Sequence, residues 1–409
     1  MKILLITARY YPEPFTITNI VEKLKEYGHD ITVLTGVPNY GKWKIYDGYK
    51  NVQTETINGI KVIRVNEKPR KKGFLGLLNN YMSIHKEYKK FLKNHHGDYD
   101  LIFSHVMSPI FTISGLKKYL KRHNIPHFMY GFDLWPESLI AAGYFKRYFL
   151  SFQILKRYSK KLYETCDLIA YASPSCLDYF NNYLKIDVPV IHIYQPTLTK
   201  LIENSYVGHI YRKDSNKTRI LFCGTIAKFN HLDLFIKAIK KDDIRDKIIF
   251  DIVGSGSDEK RIRKLVKKYK LEDCVNFYGR VSPEETRKYY NQADVLFVPL
   301  YYNSATSLMI PQKVIEYFMY GRPILGMIKG DGADLIKEAS SINIISDQNV
   351  DSLSEAITNA CDLSSEELLR AGKENYNFYI SNPRFTLDVV CQEINNEITN
   401  LVNKKVNNY

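Results

Sequence analysis

The chain has 409 residues, 45% of them apolar and 25% charged, with a formal net charge of +14. That length suits two domains of roughly 200 residues each, and that composition excludes a disordered or fibrous chain. No run approaches the roughly 18 apolar residues of a membrane-spanning helix, and six scattered cysteines without paired spacing argue against a disulfide framework or a thiolate metal site.

The first half alternates strands and helices. Ile3–Thr7 reads as the first buried strand of a cytosolic protein, too short for a signal peptide. A helix over Ile17–Tyr27 ends at Gly28, and Ile31–Thr35 is the second strand. Thr54–Ile57 and Ile60–Val65 form a hairpin around Asn58-Gly59, a dipeptide that favours tight turns. An amphipathic helix follows over Leu75–Lys93. Strands at Leu101–Ser104 and His127–Tyr130 flank a helix near Phe111–His123. A helix over Phe149–Cys166, a strand at Leu168–Ala172 and a short helix at Cys176–Tyr183 complete this half.

The polar stretch 194–217 loses the rhythm, which then resumes. Strands are expected at Arg219–Cys223, Ile248–Val253, Val275–Tyr278, Val295–Pro299 and Ile324–Ile328. Helices are expected at His231–Lys240, Asp258–Tyr269, Pro283–Gln292, Gln312–Tyr320, Asp331–Ala339, Val350–Cys361 and Ser365–Phe378. The tail from Phe385 to Val402 has helical periodicity. The pattern implies an α/β chain with two doubly wound, Rossmann-like domains facing a cleft. Expected boundaries are 1–195, a linker at 196–217, 218–380, and a closing helix at 381–409 that packs back on the first domain.

Charge is uneven along this frame. The first 205 residues hold 29 Lys and Arg against 17 Asp and Glu, so about +12 of the +14 lies there. Such a half suits an anionic partner, or serves solubility alone. Basic residues are not gathered on one recognition helix, so a nucleic-acid reader is not expected. Arg70-Lys71-Lys72 runs into Phe74-Leu75-Gly76-Leu77-Leu78, with lysines at 86, 89, 90 and 93 beyond. Phe145-Lys146-Arg147-Tyr148-Phe149-Leu150 repeats the theme. Snorkelling lysines beside aromatics suit an anionic membrane surface, and a solvated helix face is the alternative reading.

The most informative text is Pro311-Gln312-Lys313-Val314-Ile315-Glu316, closed by Gly321-Arg322-Pro323. Lys313 and Glu316 stand one turn apart at a helix start, where backbone N–H groups can hold a phosphate. An ammonium for phosphate charge and a carboxylate for paired hydroxyls together suit a nucleotide sugar. The same residues also read as a surface helix with a local ion pair.

Other motifs, in order, carry a family resemblance. These are Tyr10-Tyr11-Pro12-Glu13-Pro14, Gly28-His29-Asp30, Pro38-Asn39-Tyr40, Asp133-Leu134-Trp135-Pro136-Glu137-Ser138, Val253-Gly254-Ser255-Gly256, Tyr278-Gly279-Arg280-Val281 and Ala293-Asp294-Val295. Together the chain resembles the retaining, metal-independent glycosyltransferases of family 4, with the GT-B fold. The Asp-Leu-Trp-Pro stretch is similar to the subgroup that builds capsule, colanic acid and O-antigen repeats.

The resemblance implies that a sugar moves from a nucleotide donor, UDP in most of the subgroup, to a lipid-diphosphate-linked saccharide acceptor. It implies no cofactor and no metal, and a peripheral position on the inner face of the plasma membrane. Lys313 would support the departing diphosphate, with backbone N–H groups of Leu308, Met309 and Ile310 assisting, and Glu316 would accept from both ribose hydroxyls. Gly224, Thr225 and Lys228 would line the donor, Gly254 and Gly256 would admit the nucleotide, and Arg280 and Val281 would clamp the base. Asp133 and His105, at strand ends, would orient the reacting sugars. Glu13, Pro14, Trp135 and Glu137 would stand on the acceptor side. A solvated charge at Glu13, a turn cap at Asp133, a structural role for His105 and a packing role for Trp135 are the alternatives.

The chain departs from the family pattern at three places. Leu308 stands where the commoner pattern has a first glutamate, Thr225 and Asn230 replace the usual Arg and Lys, and Phe132 replaces a histidine. These departures keep open a catalytically silent sugar-binding partner of a transferase. A nucleotide-sugar 2-epimerase of the same fold is a further alternative; it needs several acid–base carboxylates and histidines in the cleft, of which the chain offers few.

Overall fold

A computed structural model describes the chain apart from residues 42–43, 52, 72, 142, 198–216, 241, 302–305 and 408–409, and apart from the side chains of 242 and 283. Most of the expected linker lies outside the described residues. The chain divides into two units, one of Met1–Ile140, Tyr144–Leu198 and Thr386–Tyr409, the other of Ala141–Gly143 and Thr199–Phe385.

In the first unit, continuous runs of Ile, Leu and Val bury both faces of the central strands, as parallel sheets covered by helices require. The strands are β1 (Lys2–Thr7), β2 (Asp30–Gly36), β3 (Thr54–Ile57), β4 (Ile60–Val65), β5 (Leu101–Val106), β6 (His127–Gly131), β7 (Leu168–Tyr171) and β8 (Val190–His192). Their order is β3-β4-β2-β1-β5-β6-β7-β8. All neighbours are parallel except the β3–β4 hairpin. The chain winds from β1 to one side and then from β5 to the other. The strand order therefore reverses between β1 and β5, where Thr7 pairs with His105.

The helix Leu387–Asn407 belongs to this unit, with Val390, Cys391, Ile394 and Ile398 in the same core as Ile20 and Leu24 of the helix Ile17–Glu26. The helix expected over 111–123 is interrupted. A 3₁₀ turn at Ile110–Ile113 gives way to Leu116–His123 through Gly115, whose φ of +97° no helical residue adopts. The short helix Glu137–Ala141 and strand β8 had no periodic signal to announce them.

The second unit holds β9 (Thr218–Cys223), β10 (Ile248–Val253), β11 (Val275–Gly279), β12 (Val295–Pro299), β13 (Ile324–Met327) and β14 (Ile344–Ile345), ordered β11-β10-β9-β12-β13-β14 and wholly parallel. Here the order reverses between β9 and β12. Phe222, Phe235, Phe250 and Phe297 anchor its core, with Phe235 stacked on Phe250 at 3.9 Å between ring centres. Among the described residues, no helix is long and apolar enough to cross a membrane.

Candidate active site

Ligands of doubly wound sheets lie beyond the carboxyl ends of the strands, at the reversal of strand order. In the second unit that position is built by β9, β12 and the helix Gln312–Met319. Pro311 starts this helix with extended backbone, and Gly321, at φ +57°, ends it. The helix buries Val314, Ile315, Tyr317, Phe318 and Met319, which leaves Lys313 and Glu316 half-buried on its remaining face.

Lys313 reaches the end of β9. A Cβ built on Gly224 would stand 2.8 Å from its Nζ, and the ammonium lies 4.5 Å from the centre of the Phe222 ring. Burial pushes the Lys313 pKa down to about 8, opposed by the neighbouring Cys223 and Glu316. Burial also raises the Glu316 carboxyl above its usual range, against the pull of Lys313. Neither side chain makes an ion pair among the described residues, so the local Lys–Glu pair of the alternative reading is not formed. A crowded ammonium and a crowded carboxylate, neither neutralised by contact, form a site prepared for a ligand carrying both an anion and hydroxyls. Tyr317 fastens the helix, its hydroxyl accepting from the Cys223 backbone N–H at 3.4 Å.

The two glycines after β10 let two loops pack closely. A Cβ on Gly254, at φ +133°, would lie 1.9 Å from the Gly224 carbonyl oxygen. A Cβ on Gly256 would lie 2.1 Å from that of Ile226. They admit the neighbouring β9 loop, which is bonded there by Ile226 N–H to the Ser255 carbonyl at 3.0 Å and Asp258 N–H to the Ile226 carbonyl at 3.0 Å. Close approach of loop to loop requires glycine at both positions.

Thr225 and Lys228 are exposed beside this loop, and buried Asn230 ties it by donating to the Thr225 carbonyl at 2.5 Å. Arg280 is exposed and Val281 half-buried beyond β11. Leu308 and Met309 are half-buried and Ile310 is buried. The Met309 N–H donates to the Thr306 carbonyl at 3.1 Å, so that donor is engaged within its own turn.

In the first unit His105 and Asp133 close the ends of β5 and β6. His105 is buried, its Nδ1 is 3.0 Å from Thr7 Oγ1, and its Nε2 has no partner among the described residues. Burial drives its pKa down to about 3, so the ring is neutral at physiological pH. Half-buried Asp133 accepts the Ser108 N–H at 3.0 Å, and burial raises its carboxyl. Its anchor is this neighbouring loop, not the turn before Pro136.

Three residues expected on the acceptor side face inward. Trp135 is fully buried, edge-on to Tyr81 and Phe111 at 5.4 Å each, and offers no ring face to a sugar. Glu137 is buried and accepts the Tyr179 hydroxyl at 2.5 Å. Glu13 is buried too, its Oε1 accepting the Asn39 and Tyr40 N–H groups at 2.6 Å each. Pro14 is exposed.

Glu13 opens onto a cluster of which the sequence analysis flagged Asn39 but not Arg9 or Glu67. Arg9 Nη1 lies 3.5 Å from Glu13 and 3.4 Å from Glu67, and Asn39 Nδ2 donates to Glu67 at 3.0 Å. Glu67 is fully buried, and burial raises its pKa to about 7. Arg9, Asn39 and Glu67 follow β1, β2 and β4, and only that shared strand-end position could have flagged Arg9 and Glu67.

Two family models match the chain: Glycosyltransferase Family 4 over residues 15–196 and Glycosyl transferases group 1 over 209–378. A relative in Streptococcus agalactiae, the GtfA subunit of UDP-N-acetylglucosamine–peptide N-acetylglucosaminyltransferase, is 23% identical over 152 residues, 37% of this chain and 27% of its own. The matched stretches make up 27% to 38% of the curated relatives' own lengths. Among solved structures, sucrose-phosphate synthase from Thermosynechococcus elongatus superposes with a TM-score of 0.76 at 17% identity, covering 98% of each chain. Anabaena Alr3699/HepE, in complex with UDP and glucose, gives 0.68 at 15%, covering 98% of this chain and 100% of its own.

Proposed function

We propose that the chain, which matches a family 4 model followed by a group 1 model, is a GT-B glycosyltransferase that moves a sugar, with retention, from a UDP-sugar to a lipid-linked saccharide acceptor in surface polysaccharide synthesis. The carrying observation is the unpaired Lys313–Glu316 turn, with the Lys313 ammonium against Gly224 at the end of β9. Bound UDP in the Alr3699/HepE structure supports the choice of donor.

In this reading the C–O bond to the diphosphate breaks while the acceptor oxygen bonds to the same carbon on the same face. The acceptor proton passes to the departing phosphate oxygen. No side-chain nucleophile is required. Lys313 stabilises the charge that grows on the leaving group, and its fractional proton release near pH 8 sets an alkaline limit on the rate. Glu316 fixes the ribose, and Asp133 orients a sugar.

The test is nucleotide release from a panel of UDP-sugars with a lipid-linked acceptor, using Lys313→Ala and Glu316→Ala as controls. Full activity in both variants removes the site assignment. Leu308, Thr225 and Asn230, in place of charged residues, favour a second reading, a silent sugar-binding partner. Binding of a UDP-sugar without any turnover selects it.

A further inference from the structure

Asp133 stands on the loop just past the end of β6, and three tyrosine hydroxyls from later in the chain grip that loop. Tyr171, at the end of β7, donates to the Asp133 carbonyl at 3.1 Å. Tyr163, the last residue of the helix Leu150–Tyr163, donates to the Trp135 carbonyl at 3.0 Å and accepts the Trp135 N–H at 3.2 Å. Tyr179 donates to the Glu137 carboxylate at 2.5 Å. The Tyr163 and Tyr171 hydroxyls are themselves 3.3 Å apart. From the opposite side the loop after β5 holds the same segment. Ser108 donates its N–H to the Asp133 carboxylate at 3.0 Å, and the Ser108 and Ser138 hydroxyls lie 2.8 Å apart.

Packing alone does not call for tyrosine here. All three rings are buried, and phenylalanine would fill the same volume without a hydroxyl to satisfy. The hydroxyls instead supply partners to a loop whose buried backbone groups lie outside any ladder. The end of β6 makes room for one ring. A Cβ on Gly131 would lie 2.5 Å from Cζ of Tyr171, so glycine lets that side chain cross to Asp133.

We propose that Tyr163, Tyr171 and Tyr179 are positioning residues that hold Asp133 in place for sugar transfer. The inference rests on the proposed role of Asp133 in orienting a sugar. It gives a task to the two inward-facing residues of the same stretch. Trp135 offers its backbone N–H and carbonyl to the clamp, Glu137 offers its carboxylate, and both are fully buried. A displacement of about 1 Å at a reacting group costs on the order of a hundredfold in rate. Loosening the clamp therefore acts on turnover, while donor affinity stays with Lys313 and Glu316.

The experiment compares Tyr171→Phe, Tyr163→Phe and Asp133→Asn in UDP release, using the donor of the panel above with the highest turnover. Hydrogen–deuterium exchange over residues 132–138 is measured alongside. Both phenylalanine variants are expected to lose at least about tenfold in kcat and to keep the donor KM within about twofold. Exchange should rise in Tyr163→Phe, which removes the acceptor of the Trp135 N–H, with melting temperatures within about 5 °C of the wild type. Asp133→Asn should lower kcat in the same manner, and adding Tyr171→Phe to it should lower kcat no further, because both act on one group. Unchanged kcat in the phenylalanine variants, unchanged exchange, or losses that multiply in the double variant each overturn the clamp and leave the transferase reading standing. Full kcat in Asp133→Asn, or no turnover with any donor, instead removes the reading on which the clamp rests. If Tyr163→Phe does not fold, Tyr171→Phe decides by the same measurements.

Discussion

Replacing Lys313 with methionine removes a crowded ammonium while keeping a chain of similar length over the Phe222 ring. An ammonium held at about 8 instead of its ordinary 10.5 carries a penalty of about 3 kcal/mol for its charged form in the folded state. The residual solvent contact of this half-buried side chain discounts that to about 1–2 kcal/mol. The folded-state value lies below the unfolded one, so the penalty is full below about pH 8 and fades as the pH rises toward 10.5. Lys313→Met is therefore expected to be more stable than the wild type at pH 7 by about 1–2 kcal/mol, the difference vanishing by about pH 10.5. Denaturant unfolding of both proteins across that range, with and without UDP, is the assay. UDP should stabilise the wild type and leave the variant unmoved. A variant less stable than the wild type at pH 7, or one equally stabilised by UDP, refutes the idea that folding stability is sacrificed here for an anion site.

Gly254→Ala puts a Cβ 1.9 Å from the Gly224 carbonyl at a φ of +133°, and a loss of about 2–4 kcal/mol is expected by calorimetry; a melting temperature equal to that of the wild type contradicts the packing. Trp135→Ala should cost about 3–5 kcal/mol of stability, whereas a role as a sugar platform would raise KM for the acceptor and spare the fold. His105, neutral because its pKa is near 3, should contribute no limb to the pH–rate profile between about 5 and 8. His105→Gln should then keep the profile's shape, and loss of an acid limb in that variant would show that the ring titrates after all.

The fold was legible because its signals are long and periodic. β3, β4, β10 and β12, and the helices Pro283–Gln292 and Asp331–Ala339, lie where the apolar pattern puts them. Elements without a period escaped: β8 has three residues and β14 two. Gly115 broke an expected helix because a positive φ is a backbone property that apolar spacing does not register. At the candidate site, Lys313 and Glu316 were readable because helical spacing puts both on one face. The glycines after β10 were readable as close-approach positions, but the partner in that approach was not, since it comes from the β9 loop. Trp135, Glu137 and Glu13 stand in a recognisable motif or turn, yet burial turns all three inward, and burial depends on distant residues such as Tyr81, Tyr179 and Asn39. The Arg9–Glu67 pair, 58 positions apart, left no local trace at all.

A crystal structure of the chain soaked with UDP tests the account most directly. The diphosphate is expected within hydrogen-bond reach of Lys313 Nζ beside Gly224, with the ribose hydroxyls on the Glu316 carboxylate. A nucleotide bound elsewhere on the second unit, leaving both side chains without contact, would contradict it.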